Sequence, residues 1–248
     1  MRSVHASLLS LSVLFALPAA GGEPDFRAYD RLLRAYVDER GLVDYAAFKR
    51  KDEAALRRCV AEFAAVDAAA LEGNAKKAYW INVYNAVTLQ AMLEFYPLRS
   101  IKDKVSHLPG GYNVWKDYRF GPQKVSLDEI EHKILRPLGD PRIHAAIVCA
   151  SKGCPPLRNE AFVPERLDAQ LDDTVRRWLR DPRRGLRVEG QRVLLSKIFD
   201  WFGEDFAPDV PGRLRWVARY VDEETARRLR SGGLEVAFLD WDWSLNAR

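Results

Sequence analysis

The chain reads as α+β, and three observations carry that reading. A run from about Ala75 to Phe95 is apolar on nearly every side, which predicts a central helix rather than a surface one. Flanking segments repeat apolar residues at helical spacing. Between them stand short β-branched runs bounded by Gly and Pro, the pattern of brief strands and hairpins. The expected architecture is a single domain over residues 22–248, with the central helix (about 75–95) packed against a small mixed or antiparallel sheet and surrounding helices.

Taken along the chain, Asp25 to Tyr36 is a short helix and Leu42 to Tyr45 a brief extended piece. Glu53 to Val66 is amphipathic, with Leu56, Val60 and Phe63 on one face, and Cys59 sits there as a small buried hydrophobe. The central helix stops before Pro97. Tyr118 to Leu127 makes two short strands about the Gly121-Pro122 turn. Ser126 and Glu129 form a capping box, opening a helix that ends at Pro137 with Arg136 near its negative end. Ile143 to Cys149 reads as a buried strand that delivers its end to a Gly/Pro loop. Pro164 starts a helix with the apolar stripe Leu167, Leu171, Val175 and Trp178. Leu186 to Val188 and Val193 to Leu195 flank Glu189-Gly190 as a hairpin. Helices near Leu214 to Val221 and Glu223 to Leu229 follow, then a strand from Leu234 to Leu239.

The N-terminal segment addresses the chain for export. Arg2 supplies a positive start, and Ala6 to Leu17 is an apolar stretch too short to span a bilayer. Small residues at Ala19 to Gly22 then offer cleavage near Gly21, so residues 1–21 read as a signal peptide and the protein as periplasmic or extracellular. No later run is long enough to cross a membrane, and stable membrane insertion is not expected. The whole chain carries 39 Lys and Arg against 35 Asp and Glu, an excess too small and too interleaved to favour nucleic acid.

The chemistry concentrates in two places. The first is His144 to Pro156, where His144, Cys149, Ser151 and Cys154 stand together at a strand end and loop. His144 is either a general base or a satisfied core residue. Cys149 is either a thiolate nucleophile or half of a Cys149–Cys154 disulfide, which an oxidising compartment favours. On an unbroken strand His144 and Cys149, five apart, would point to opposite faces. The second place is the central helix, where Asn82 and Asn85, three apart, face one way. Buried amides must be hydrogen-bonded, so the pair either ties down a neighbouring backbone or lines a polar site. Glu131 and His132 resemble part of an acid–base or metal site, but neighbours on a helix diverge by about 100° and only one should face inward. No zinc-ligand spacing, nucleophile elbow, phosphate loop or dinucleotide fingerprint is present, so neither metal nor cofactor is expected. Trp115, Trp201, Trp241 and Trp243 are either packing residues or the wall of a carbohydrate groove.

Four ordered segments, Tyr79 to Ala86, Glu131 to Arg136, Ile143 to Pro155 and Leu239 to Asn246, together resemble the family catalogued as domain of unknown function 547. The resemblance implies little about activity. It covers exported bacterial proteins and plant proteins that add a leucine-zipper region, and this chain has no such heptad segment.

Two functions remain open on the sequence. One is an exported hydrolase or acyl transferase, with Asn82 and Asn85 as orienting amides and His144 as general base. Cys149, Ser151 or Cys154 would then be the nucleophile. Papain-like and transglutaminase-like enzymes offer an analogy, although they place the nucleophilic cysteine at the helix start, where this chain has Trp80-Ile81-Asn82. The other is a non-catalytic cell-envelope binding or scaffold domain holding a small-molecule, peptide or envelope ligand. The export reading is checked by mass spectrometry of secreted material, which should lack about the first 21 residues. An intact Met1 would overturn it.

Overall fold

The computed structural model describes residues 24–105 and 111–248, and the expected signal peptide lies outside the described residues. Helix α1 (Arg27–Tyr36) buries Tyr29, Leu32, Leu33 and Tyr36 against α2 (Tyr45–Ala64). Asp44 caps α2 by accepting from the Ala47 N–H at 2.9 Å. The backbone of α2 kinks at Asp52 (φ −136°), which accepts from the Tyr36 hydroxyl. Regular apolar spacing therefore begins only after that kink, at the Glu53 expected from the sequence.

Helix α3 (Gly73–Phe95) is the central element, and every residue from Ala78 to Leu89 is buried. A 3-10 turn follows at Ile101–Lys104, then α4 (Val114–Asp117) and the hairpin β1 (Arg119–Phe120) and β2 (Val125–Ser126). The Ser126–Glu129 capping box forms as expected and opens α5 (Leu127–Glu129). The coil then widens into a π-helical stretch, Ile130–Leu135, before a 3-10 turn at Arg136–Leu138.

Next come α6 (Ile143–Ala146) and, after a 3-10 turn begun by Pro164, α7 (Leu167–Leu179). Strands β3 (Leu186–Glu189) and β4 (Arg192–Leu195) pair antiparallel, with Leu186 opposite Leu195. Four helices complete the crossover: α8 (Ile198–Trp201), α9 (Gly203–Phe206), α10 (Val210–Val217) and α11 (Glu223–Arg230). Strand β5 (Glu235–Phe238) then returns parallel to β4, giving a mixed sheet in the order β3-β4-β5.

The α+β reading holds, and the packing adds a distinction. The buried side chains of α3 belong to one apolar cluster together with α1 and α2, while Leu186, Val193 and Leu195 of the sheet belong to a second with Trp178 and Phe199. The neighbours of α3 are therefore chiefly helices and irregular chain. Trp241 packs against both clusters.

The expected Ile143 to Cys149 strand is corrected. Asp140 and Pro141 start a helical turn instead, with the Ile143 N–H donating to the Asp140 carbonyl at 3.2 Å and that of His144 to Pro141 at 3.2 Å. The Asp140 carboxylate is fixed by Lys77 at 2.6 Å and by Arg142 at 2.9 Å. A short apolar run does not by itself distinguish strand from buried helix, and here the polar start decides. The chain turns extended only at Ile147 (φ −89°, ψ 136°).

This extended chain is partnered by a side chain. The Asn85 amide donates to the Ala146 carbonyl at 2.8 Å and accepts from the Val148 N–H at 2.9 Å. Asn82 repeats the arrangement one turn earlier, donating to Phe162 O at 2.7 Å and accepting from Phe162 N–H at 3.0 Å. Each amide thus imitates the edge of a neighbouring strand for chain that has no ladder. Replacing Asn85 with Leu strands two buried backbone groups and should cost about 2–5 kcal/mol. Urea melts of N85L and N82L check this, and midpoints unchanged within error would refute it.

Candidate functional site

A cavity of about 260 Å³ opens where α3, the π-helical stretch, α6, α8 and the C-terminal chain converge. Its lining brings together Cys149 and Cys154, the polar group Glu131, His132 and Tyr84, and the indoles of Trp115, Trp201, Trp241 and Trp243.

The acid–base side depends on the π-helical stretch. Such wide turns recur at functional sites because they change which side chains share a face. Glu131 turns inward, where its carboxylate accepts a long bond from the Tyr84 hydroxyl at 3.4 Å, while His132 remains exposed at the rim. Burial pushes the Glu131 carboxyl up to about 7, outweighing the lowering by Tyr84 and Arg136. Burial also raises the Tyr84 hydroxyl well above its ordinary value.

His144 lies in the wall, stacked on Phe202 with ring centroids 4.5 Å apart. Its Nε2 is 2.7 Å from Asp205 Oδ2. Arg136 grips the same carboxylate through two nitrogens, at 2.7 and 2.9 Å, and its Nη1 is 3.0 Å from His132 Nδ1. Arg136 and His144 hold Asp205 below the ordinary carboxylate range. Burial lowers the His144 pKa more than Asp205 raises it, so the imidazole is neutral near pH 7. A neutral ring facing a carboxylate must carry its proton on Nε2 and donate it there.

Trp201, Trp241 and Trp243 form the aromatic side, with centroids 4.7 Å apart for Trp201–Trp241 and 5.8 Å for Trp241–Trp243. Trp115 adds a fourth indole, 6.3 Å from Trp243, and Trp201 is 45% exposed.

The remaining sequence-derived residues separate. Cys149 and Cys154 are bonded as a disulfide with Cα atoms 6.4 Å apart, so neither is a standing nucleophile. Cys149 and His144 line the same cavity, because the helical turn at α6 removes the alternation that would have opposed them. Ser151 is 1% exposed, and its Oγ accepts from Trp241 Nε1 at 3.0 Å; it does not line the cavity. Asn82 and Asn85 do not line it either, since both amides serve backbone. Cys59 is the buried thiol expected in α2. The sequence reading missed Asp205, Tyr84 and Phe202, and it gave Arg136 only a role at a helix end. Asp205 and Phe202 flank or lie in four-residue helices, which show no apolar period, and Asp205 is 61 residues from the histidine it meets.

Among the described residues, no group of three or more His, Cys, Asp or Glu could hold a metal ion, and no helix is long and apolar enough to cross a membrane. Residues 68–179 match the model of the family described as protein of unknown function, DUF547. The match spans the Asn82/Asn85 helix, the π-helical stretch and the disulfide loop, and stops short of Asp205 and the tryptophan-rich C-terminal segment. No curated protein and no solved structure matches the chain.

The raised Glu131 pKa has a consequence for stability. A free glutamate releases its proton near 4.5, whereas folded Glu131 holds it to about 7. Between these values the folded state binds the extra proton, so stability falls as pH rises through the window. Glu131→Gln removes this dependence. Between pH 4 and pH 8 the wild type should lose up to about 3 kcal/mol more than E131Q. Chemical denaturation of both proteins at the two pH values measures the difference, and parallel losses would show that Glu131 titrates normally.

Proposed function

We propose that this chain is an exported hydrolase that cleaves a saccharide-class envelope ligand, with Glu131 as its general acid and base. One observation carries the reading: a protonatable carboxyl and a cluster of indoles line one small cavity. A sugar ring has an apolar C–H face that fits an indole and hydroxyl edges that need hydrogen bonds. Trp201, Trp241 and Trp243 supply the first, and Asp128, Asn113 and His132 at the same cavity supply the second.

In the proposed step, Glu131 in its acid form gives its proton to the leaving oxygen as the glycosidic C–O bond breaks. Water adds to the sugar carbon, and its proton returns to Glu131. One alcohol and one hemiacetal result. A carboxyl near 7 suits both halves of this cycle at neutral pH. The Arg136–Asp205–His144 array holds the wall beside it, with Asp205 orienting the His144 ring.

The acyl-transfer variant finds less support. It needs a nucleophile, while both cavity cysteines are bridged and Ser151 is enclosed behind Trp241. The non-catalytic binding domain would use the same indole wall without turnover.

Oligosaccharides and chromogenic glycosides of envelope sugars test the reading, with esters and peptides alongside. Turnover of at least one glycoside is expected, with kcat lowered about 10²–10⁴-fold in E131Q. In W201A, KM should rise while kcat changes little. Activity should also decline above about pH 7, as Glu131 loses its proton. Saccharide binding without turnover would leave the binding domain, and full activity in E131Q would remove Glu131 from the mechanism.

A further inference from the structure

The Cys149–Cys154 bridge is placed unlike a bridge that only braces a fold. It lines the cavity, with Cys149 half-buried and Cys154 only 3% exposed, so the two residues differ in exposure. The loop between them is also held by other means. The Lys152 N–H donates to Ser244 O and the Gly153 N–H to Asp242 O, each at 2.8 Å, and the Asn246 N–H donates to Ala150 O at 2.9 Å. These bonds would keep the sulfurs adjacent with the bridge open. Ala150 meanwhile sits at φ +62°, a left-handed conformation that a residue with a Cβ seldom adopts. Some strain is therefore stored between the two cysteines.

Donors also surround the sulfurs. The Cys149 N–H points to Cys154 Sγ at 3.1 Å. Ser151 Oγ lies 3.2 Å from Cys149 Sγ and 3.6 Å from Cys154 Sγ. Because Ser151 accepts from Trp241 Nε1, its own proton is available to a sulfur.

We infer that Cys149–Cys154 is a reversible thiol–disulfide exchange centre for a low-molecular-weight thiol admitted through the same cavity. The thiolate RS⁻ attacks the accessible Cys149 Sγ, forming an R–S–S–Cys149 mixed disulfide and releasing Cys154 as a thiolate. The Cys149 N–H and the Ser151 hydroxyl stabilise that leaving sulfur, which then takes up a proton. A second RS⁻ displaces Cys149 and leaves as RSSR, and the Cys149 thiolate is protonated. Two thiols are oxidised to one disulfide while the protein disulfide is reduced to two thiols, and the reverse sequence restores the bridge. The cavity volume of about 260 Å³ favours a small thiol over a folded protein. The inference uses residues separate from the proposed hydrolytic acid, so either can fail alone.

The full chain, purified without reductant, is treated with millimolar reduced glutathione in the absence of denaturant and sampled by alkylation and mass spectrometry. The bridge should open within minutes with unchanged circular dichroism, and close again on addition of glutathione disulfide. Structural bridges in secreted proteins resist reduction by glutathione. Opening only at denaturant concentrations that unfold the chain would overturn the inference. The point of attack is read from Cys154→Ser and Cys149→Ser variants with Ellman's reagent. Cys149 in C154S should react at least tenfold faster than Cys154 in C149S, and equal or reversed rates would overturn the assignment of Cys149. Should either variant fail to fold, reduction of the native wild type decides alone.

Discussion

Two side-chain amides on one buried helix hold the rest of the molecule in register. A helix uses its own backbone groups internally and cannot extend a ladder to neighbouring chain. Buried extended segments nevertheless require hydrogen-bond partners. In this fold Asn82 and Asn85 meet both constraints, presenting one acceptor and one donor each to chain that passes α3. The Asn85 contact fixes the exit from α6, and so places His144 before it and Cys149 after it. The Asn82 contact fixes Phe162 just ahead of α7, whose C-terminal half enters the second apolar cluster. Both ends of the loop region are thereby indexed to the same two turns of helix.

The cavity sits where the two apolar clusters meet, and charge crosses that seam. Arg136 follows the π-helical stretch beside the first cluster, and Asp205 belongs to the helices around the second. Their paired contact is partly buried, a setting in which desolvation offsets much of the attraction. Its clearer effect is orientation: a fork of two nitrogens on one carboxylate leaves little freedom to rotate. The same carboxylate sets the His144 proton on Nε2, so one ion pair aligns the wall and selects a tautomer.

Elements with a long period or a specific start were legible in the sequence. The apolar length of α3, the Ser126–Glu129 box, Pro164 before α7 and the hairpin about Gly190 each have a local physical signature. What could not be read has no such signature. Helices α6, α8 and α9 span four residues each, barely one turn, so their side chains show no repeat. At the site, the cysteines, His144 and the four tryptophans were singled out by type and proximity. Asp205 is one acidic residue among many until the fold brings it to His144. The asparagine pair was recognised as either tying down a neighbouring backbone or lining a polar site, and the backbone it does tie down lies about 60 to 80 residues away.

The bonds from Ser244, Asp242 and Asn246 to the Cys149–Cys154 loop bear on when the site comes into being. Asn246 also receives the Tyr45 hydroxyl at 2.7 Å, and its carbonyl accepts the Val43 N–H at 2.9 Å. Loop, early chain and late chain therefore close around one another in a single clasp. A ribosome delivers residues in order, and a translocated chain emerges in order too. Until residue 246 has been delivered, the cavity lacks Trp241 and Trp243 and the bonds that hold the disulfide loop. The scaffold of α1 to α3 thus draws on early chain, while the cavity is completed by residues that follow more than a hundred positions later.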